Sequence, residues 1–288
     1  MSDPDLGGGP TIRRFVVGSQ LRRLREARDV TREAAGYAIR GSASKISRME
    51  LGRVSFKERD VADLLTLYGV TDSEQRAALL RMAEQANDPA WWQTYEDVLP
   101  GWFHTYVGLE EAASLIRTYE VQFLPGLLQT EGYARAVIAA GVPEPSEEEV
   151  QRRVDLRVRR QRVLSGTGLT HLWTVLDEAA LRRLAGTRSV VQAQIRHLLA
   201  GSDRPNVTIQ MMPLRPGAHA VDGGSFSILR FPDPELPDVV YVEQLTGAQY
   251  LDKREHVDRY VQVMNRLTIE ALTPEATADA LAKMLVRL

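Results

Sequence analysis

Residues 31–52, TREAAGYAIRGSASKISRMELG, read as two short helices joined by a tight turn. Thr31 suits the N-cap of the first helix, because its hydroxyl can accept an amide of the first turn. Ala35 and Gly36 leave room for a second helix to cross closely, and Ala35, Ile39, Ile46 and Met49 form the apolar seam between the two. Gly41 supplies backbone freedom for the turn, and Ser42 can cap the second helix. With Ile46 and Met49 inward, Ser44, Lys45, Ser47 and Arg48 must face outward. That is the form of a helix-turn-helix whose second helix enters a DNA major groove. Arg and Lys there reach guanine edges or phosphates, and Ser contacts either. An ordinary helical hairpin with a polar face would show the same pattern in isolation.

The flanks argue for the larger motif. Val17, Leu21 and Leu24 recur at helical spacing upstream, and Glu58 to Tyr68 turns Val61, Leu64, Leu65 and Tyr68 inward before Gly69. A fifth helix is expected from Asp72 to Asn87. The run LRRLREARDVT…KISRMELGR…VADLLTLYGV resembles the DNA-binding domain of XRE-type regulators, the phage-repressor class. The resemblance implies a structural ion pair between Arg25 and Glu50. With the helix-face reading, it puts Arg32, Ser42, Ala43, Ser44, Lys45, Ser47, Arg48 and Arg53 on the DNA side. Two positions depart from the family. Arg32 stands where a Gln is usual and could bind phosphate itself. Arg40 replaces the turn glycine, with Gly41 one position late, which predicts a slightly reshaped turn. A single module buries little DNA surface, so a homodimer on two operator half-sites is expected.

Charge separates this module from the rest. Residues 11–59 carry 13 Lys+Arg against 5 Asp+Glu, a local balance of +8, whereas the whole chain is −2. A basic module on an acidic remainder is the footprint of a phosphate-binding end. The absence of cysteine removes disulfides, thiol catalysis and thiolate metal sites. No apolar run approaches the ~20 residues of a membrane span. The start, MSDPDLGGGPTIRR, lacks a signal peptide's apolar core and reads as a disordered leader over residues 1–10 of a cytoplasmic protein.

The expected organisation is α+β: a helix-turn-helix domain over 11–87 and a mixed domain over 88–288 with a small, largely antiparallel sheet. In the second part, helices are expected at Leu109–Tyr119, Glu131–Ala140, Glu147–Leu164, Glu178–Leu184, Val190–Leu199 and Asp252–Ala271. A last one is expected after the Thr273-Pro274-Glu275 start. Strands are expected at Leu169–Val175, Val207–Met211, Ser225–Phe231 and Val239–Glu243.

Catalysis finds little support. The histidines at 104, 171, 197, 219 and 256 form no HxxxH pair, so neither a metal nor a cofactor is expected. Asp177-Glu178 reads as a helix start, where the backbone dipole favours acids. His219, Asp222 and Ser225 lie among glycines that suggest a strand-to-strand loop. The arginines between Arg152 and Arg162 follow Glu148 and Glu149 at ion-pairing distance, with Val150, Val154 and Val158 as the expected core stripe.

The segments TYEVQFLPGLLQTEGYARA, RVRRQRVL, VLDEAALRR, VTIQMMP…GAHAVDGGSFSILRF and VVYVEQLTGAQYL are similar, in order, to the C-terminal domain of WhiJ-like actinobacterial regulators. Some of these are described as antitoxin-like. The resemblance implies a transcriptional regulator, often encoded beside a small partner protein. Three of the four tryptophans fall within residues 91–102, so Trp91, Trp92, Trp102 and Phe103 are the candidate anchors for a partner or ligand. The alternatives are a protein partner, a small-molecule effector in an aromatic pocket, and plain core packing.

Overall fold

The computed structural model describes residues 9–141, 144–165, 170–214, 223–233 and 236–288. They form twelve α-helices and a six-stranded sheet, arranged in two compact units. No helix among the described residues is long and apolar enough to cross a membrane.

The first unit runs up to Thr94 and also takes in His104–Ala112. It contains α1 (Pro10–Glu26), α2 (Arg32–Ala38), α3 (Ala43–Glu50), α4 (Glu58–Leu67), α5 (Ser73–Gln85) and all of α6 (Phe103–Ala112) but its first residue. Side-chain caps begin three of these helices. Thr31 Oγ1 accepts from the Ala34 amide at 3.2 Å and Ser42 Oγ from the Lys45 amide at 3.2 Å, while Asp72 accepts from Glu74 and Gln75 at 2.8 and 3.1 Å. Val17, Leu21, Ala35, Ile39, Ile46, Met49, Val61, Leu64, Leu65 and Tyr68 meet in one buried cluster. The helices approach closely where side chains are smallest. A Cβ on Gly18 would stand 2.5 Å from the Met49 carbonyl oxygen, and one on Gly36 would stand 2.8 Å from the Ser42 carbonyl carbon.

Two expectations about this region meet facts of a different kind. The division expected at 87/88 falls inside the first unit, because α6 packs back on it. Trp91 Nε1 donates to Glu111 Oε1 at 3.1 Å, and Gly108 lies against the Thr11 side chain. Of the expected leader, residues 1–8 lie outside the described residues, and Pro10 already begins α1.

The second unit comprises Tyr95–Phe103 and Ala113–Leu288. Its elements are β1 (Leu115–Glu120), α7 (Glu131–Gly141), α8 (Glu147–Arg160), β2 (His171–Asp177), α9 (Glu178–Arg182) and α10 (Arg188–Ser202). There follow β3 (Val207–Met212), β4 (Phe226–Arg230), β5 (Val239–Gln244), β6 (Gly247–Leu251), α11 (Arg254–Glu270) and α12 (Pro274–Arg287). The strand order is β3-β2-β1-β4-β5-β6. β1, β2 and β3 are parallel, and β4, β5 and β6 continue from β1 antiparallel. On one face, Tyr119, Val175, Met212, Phe226, Ile228 and Val240 pack with Val257, Met264 and Leu267 of α11.

Three sequence expectations are corrected here. The helix expected at Leu109–Tyr119 ends at Ala112, and its second half is β1, a central strand. LIRTYE alternates side chains between two covered faces, and its pairing on both edges outweighs its continuity with the apolar helix before it. The α+β class and the mainly antiparallel sheet hold, with three of five pairings antiparallel, but β1 and β6 add to the four strands expected. On α8, Val150 and Val154 are 4% and 0% exposed, but Val158 is 41% exposed, so the stripe does not continue through it. The helix instead turns Leu156 and Arg160 inward. The expected strand start at Leu169 lies outside the described residues, as do His219 and Asp222.

At the α2–α3 turn the left-handed residue is Arg40, with φ +52°, in the place where the related motif has glycine. The turn is therefore not displaced onto Gly41. An L-residue pays about 1–2 kcal/mol for this conformation, and glycine carries about 0.5–1 kcal/mol of extra chain entropy. Arg40→Gly is accordingly expected to stabilise the first unit by about 0.5–1 kcal/mol. Urea unfolding followed by circular dichroism checks it, and a lowered midpoint would contradict the strain.

Candidate nucleic-acid interface

α3 is short, so its orientation depends on what holds its ends. At its C-terminal end, Glu50 is 4% exposed, and Arg25 of α1 donates through Nε to its Oε1 at 2.5 Å and through Nη2 to its Oε2 at 3.3 Å. Arg32, at the start of α2, donates to the same Oε2 at 3.0 Å. Arg25 also reaches the Val30 carbonyl at 2.9 Å, which fixes the connection between α1 and α2. One carboxylate thus receives two guanidinium groups from two other helices. Hydrogen bonding to Glu50, more than any other cause, raises the Arg25 pKa. The neighbouring Tyr68 hydroxyl is also pushed up, first by burial and then by the Glu50 charge.

A second tie holds the middle of α3. Lys45 Nζ lies 2.5 Å from Asp60 Oδ2 of α4, and the Asp60 side chain is only 2% exposed. Sequence reasoning put Lys45 on the outer face without a partner. Asp60 stands in the first turn of α4, where the helix dipole also favours an acid. Lys45 remains 32% exposed along its side chain, so it borders the outer face while neutralising a buried charge.

The rest of the expected set divides plainly. Ile46 and Met49 are each 1% exposed, Ser42, Ser44, Arg48 and Arg53 are exposed, and Ala43 and Ser47 are partly so. Arg48 has no side-chain partner among the described residues. Two further exposed side chains lie beside the turn: Tyr37, at 88% exposure, and Arg40. Tyr37 was legible as a large side chain on the polar side of α2, opposite Ala35. From Ala34 to Met49 there is no carboxylate at all, so the charges that this stretch gives to the outer surface of α3 and the turn are all positive, set among hydroxyls and Tyr37. Such a surface suits phosphates and the acceptor-rich edges of the major groove.

The aromatic run is divided between the two units. Trp92 is 3% exposed and meets Trp91 edge-on at 5.6 Å in the first unit. Trp102 and Phe103 belong to the second unit, where Phe103 packs against Tyr241 at 6.4 Å and lies 4.8 Å beneath the Arg160 guanidinium. Among the described residues, no group of three His, Asp or Glu side chains is placed to hold a metal ion.

A family model described as a helix-turn-helix domain matches residues 16–79. A second, described as a domain of unknown function (DUF5753), matches residues 103–283, more than half of the chain. No curated protein matches the chain, and no solved structure does.

Removing Glu50 would strand two cations, one of them buried. Glu50→Ala is expected to destabilise the first unit by about 3–5 kcal/mol, whereas Arg32→Gln, at a 40% exposed side chain, should cost about 0–1 kcal/mol. Thermal unfolding of the two variants side by side checks the difference. Equal losses would mean that Arg32, not Arg25, carries the pair.

Proposed function

The chain belongs to the family of the domain of unknown function DUF5753 and bears a helix-turn-helix domain ahead of it; on that pairing we propose a sequence-specific DNA-binding transcriptional regulator of the cytoplasm. The observation that carries the reading is the acid-free outer face of α3, held in place at both Glu50 and Lys45. In this reading α3 lies in the major groove. Ser44 and Arg48 meet base edges, while Arg32, Ser42, Ala43, Lys45, Ser47 and Arg53 meet the groove wall and phosphates. Tyr37 and Arg40 extend the contact onto the backbone. The protein acts as a homodimer on half-sites about one helical turn, ~34 Å, apart.

The second unit controls DNA occupancy. The WhiJ-like, antitoxin-like resemblance supports a small protein as its partner, with Trp102 and Phe103, both partly exposed, as its anchors in the second unit; the buried indole N–H of Trp102 has no hydrogen bond. A small-molecule effector acting on this unit is the other reading.

An operator can be selected from random DNA by the full-length protein. On that sequence Arg48→Ala is expected to lose about 1–3 kcal/mol, roughly 5- to 150-fold in affinity, with far less effect on unrelated DNA. Gel shifts at two salt concentrations read both effects. Parallel losses on operator and unrelated DNA would place Arg48 on phosphate instead, and no loss on either would remove α3 from the groove.

A further inference from the structure

At the carboxyl end of β1, chemistry gathers in the second unit that DNA binding does not use. Glu120 closes β1, Ser225 precedes β4, and Glu243 lies near the end of β5; the alternation of strand directions puts all three at the same end of the sheet. β1 is where the order of the sheet reverses, with β2 on one side and β4 on the other. Below that end of the sheet, Thr174, Thr118, Ser227 and Tyr241 face one another across four strands as a row of hydroxyl groups.

The other wall comes from α8 and the PGLLQTEGYA block. Arg157 Nη1 donates to Gln129 Oε1 at 2.8 Å. Gln129 is itself clamped: its amide donates to the Leu124 carbonyl at 2.7 Å, and Gln161 donates to the Gly126 and Gln129 carbonyls at 3.0 and 2.7 Å. One turn along α8 from Arg157, Arg160 stacks over Phe103, whose ring packs against Tyr241 of the hydroxyl row, so this wall meets that face of the sheet. Burial raises the Tyr133 phenol first, with the Leu124 backbone, Arg157 and Glu120 acting on it in turn. Exposure falls steadily inward. Glu243 is exposed, Glu120, Arg157 and Ser225 are partly exposed, and Gln129, Thr118, Thr174 and Tyr133 are 3%, 2%, 0% and 0% exposed. These side chains run from the surface inward, the order that the wall of a recess would have.

Several of its groups lack the partners that burial demands. The Thr174 hydroxyl makes no hydrogen bond, and the Tyr133 hydroxyl makes none of ordinary geometry, the Leu124 backbone lying near it. Arg157 has no carboxylate within ion-pairing distance among the described residues. Burial, with the Arg160 charge adding to it, lowers the Arg157 pKa to about 10, which leaves it protonated near neutrality. Burial also raises Glu120 to about 7, against hydrogen bonds from Thr118 and Ser225. A half-buried guanidinium whose hydrogen-bond partner is a neutral amide gains from an oxyanion, whose lone pairs match the guanidinium fork.

We propose that this recess binds a small hydroxylated oxyanion, a phosphate ester or a carboxylic acid, with Arg157 and the Tyr133 hydroxyl on the anion and Glu120 on a hydroxyl of the same molecule. Gln129 is the positioning residue, since it aims the Arg157 guanidinium. The site stands whether or not its occupant governs DNA occupancy.

The test uses the full chain, with inorganic phosphate and citrate as probes and ionic strength held constant with KCl. One or both should raise the Tm saturably and give a calorimetric binding isotherm. A phosphate response assigns a phosphate ester and a citrate response a carboxylic acid. Arg157→Gln should weaken the response at least tenfold, and Arg196→Gln, an exposed arginine on α10, should leave it unchanged. Tyr133→Phe removes a hydroxyl that makes no hydrogen bond of ordinary geometry, so it should keep the unliganded Tm while weakening the anion response several-fold. That variant decides the matter if Arg157→Gln does not fold. The proposal falls if neither anion shifts the parent protein beyond KCl, or if Arg196→Gln loses as much as Arg157→Gln. It falls equally if Tyr133→Phe responds like the parent. Anion binding is read on the protein without DNA, so its failure is distinguishable from a failure of operator binding.

Discussion

Everything proposed for α3 depends on the Glu50 carboxylate. It is buried, and Arg25 and Arg32 reach it from α1 and α2. Burying an ion pair does not in itself stabilise a fold, because desolvation offsets the attraction. What this arrangement supplies is orientation: the guanidinium fork accepts the carboxylate in few geometries. The end of an eight-residue helix is thereby fixed against two neighbours. Gly18 makes the same point with sterics, since the crossing of α1 and α3 leaves no space for a Cβ. The exposed face of α3 is then a consequence of what its inner face is tied to.

The first unit was legible because its signals are local. Thr31, Ser42 and Asp72 cap helices within three residues, and the apolar residues of α1 to α4 repeat at the helical period. Less legible were the ties that cross between helices. Lys45 was read from its own helix alone, and only the fold brings Asp60 to it from fifteen residues away. The second unit shows the same limit on a larger scale. The stretch from Leu109 to Tyr119 conceals a change from helix to strand, because β1 owes its state to β2 and β4, which lie far along the chain. On α8, the valine spacing correctly marked Val150 and Val154, but nothing local says that Val158 gives way to arginine.

Arginine in the second unit has several fates. Arg153 pairs with Glu149 one turn away at 2.8 Å, as its spacing suggests. Arg152 passes over Glu148 for Asp97, which it grips with two nitrogens at 2.5 and 2.7 Å while lying 5.4 Å above the Tyr95 ring. Arg157 and Arg160 face inward, one against an amide and the other over an aromatic ring. A single helix thus shows surface pairing, cross-element anchoring and burial within three turns. The difference between them lies in which neighbours the fold supplies. The three glutamines 129, 161 and 194 perform a quieter task, since they satisfy the carbonyls of the loop between Leu124 and Thr130. That segment has little regular structure of its own, and its backbone groups would otherwise be unpaired.

The partition of the chain carries a practical lesson about its boundaries. Tyr95–Phe103 folds with the residues after 113, yet His104–Ala112 folds with those before 95. The polypeptide therefore passes between the two bodies three times rather than once. No single point of scission yields two fragments that each keep all their own parts. A cut at residue 88 strips α6 from the helical body, and a cut at 113 leaves Tyr95–Phe103, with the ring beneath Arg160, on the wrong piece. Interleaving of this kind binds the inheritance of the two halves together. A recombination event that exchanged the DNA-reading end alone would have to respect three junctions at once, so the pair travels most readily as a unit.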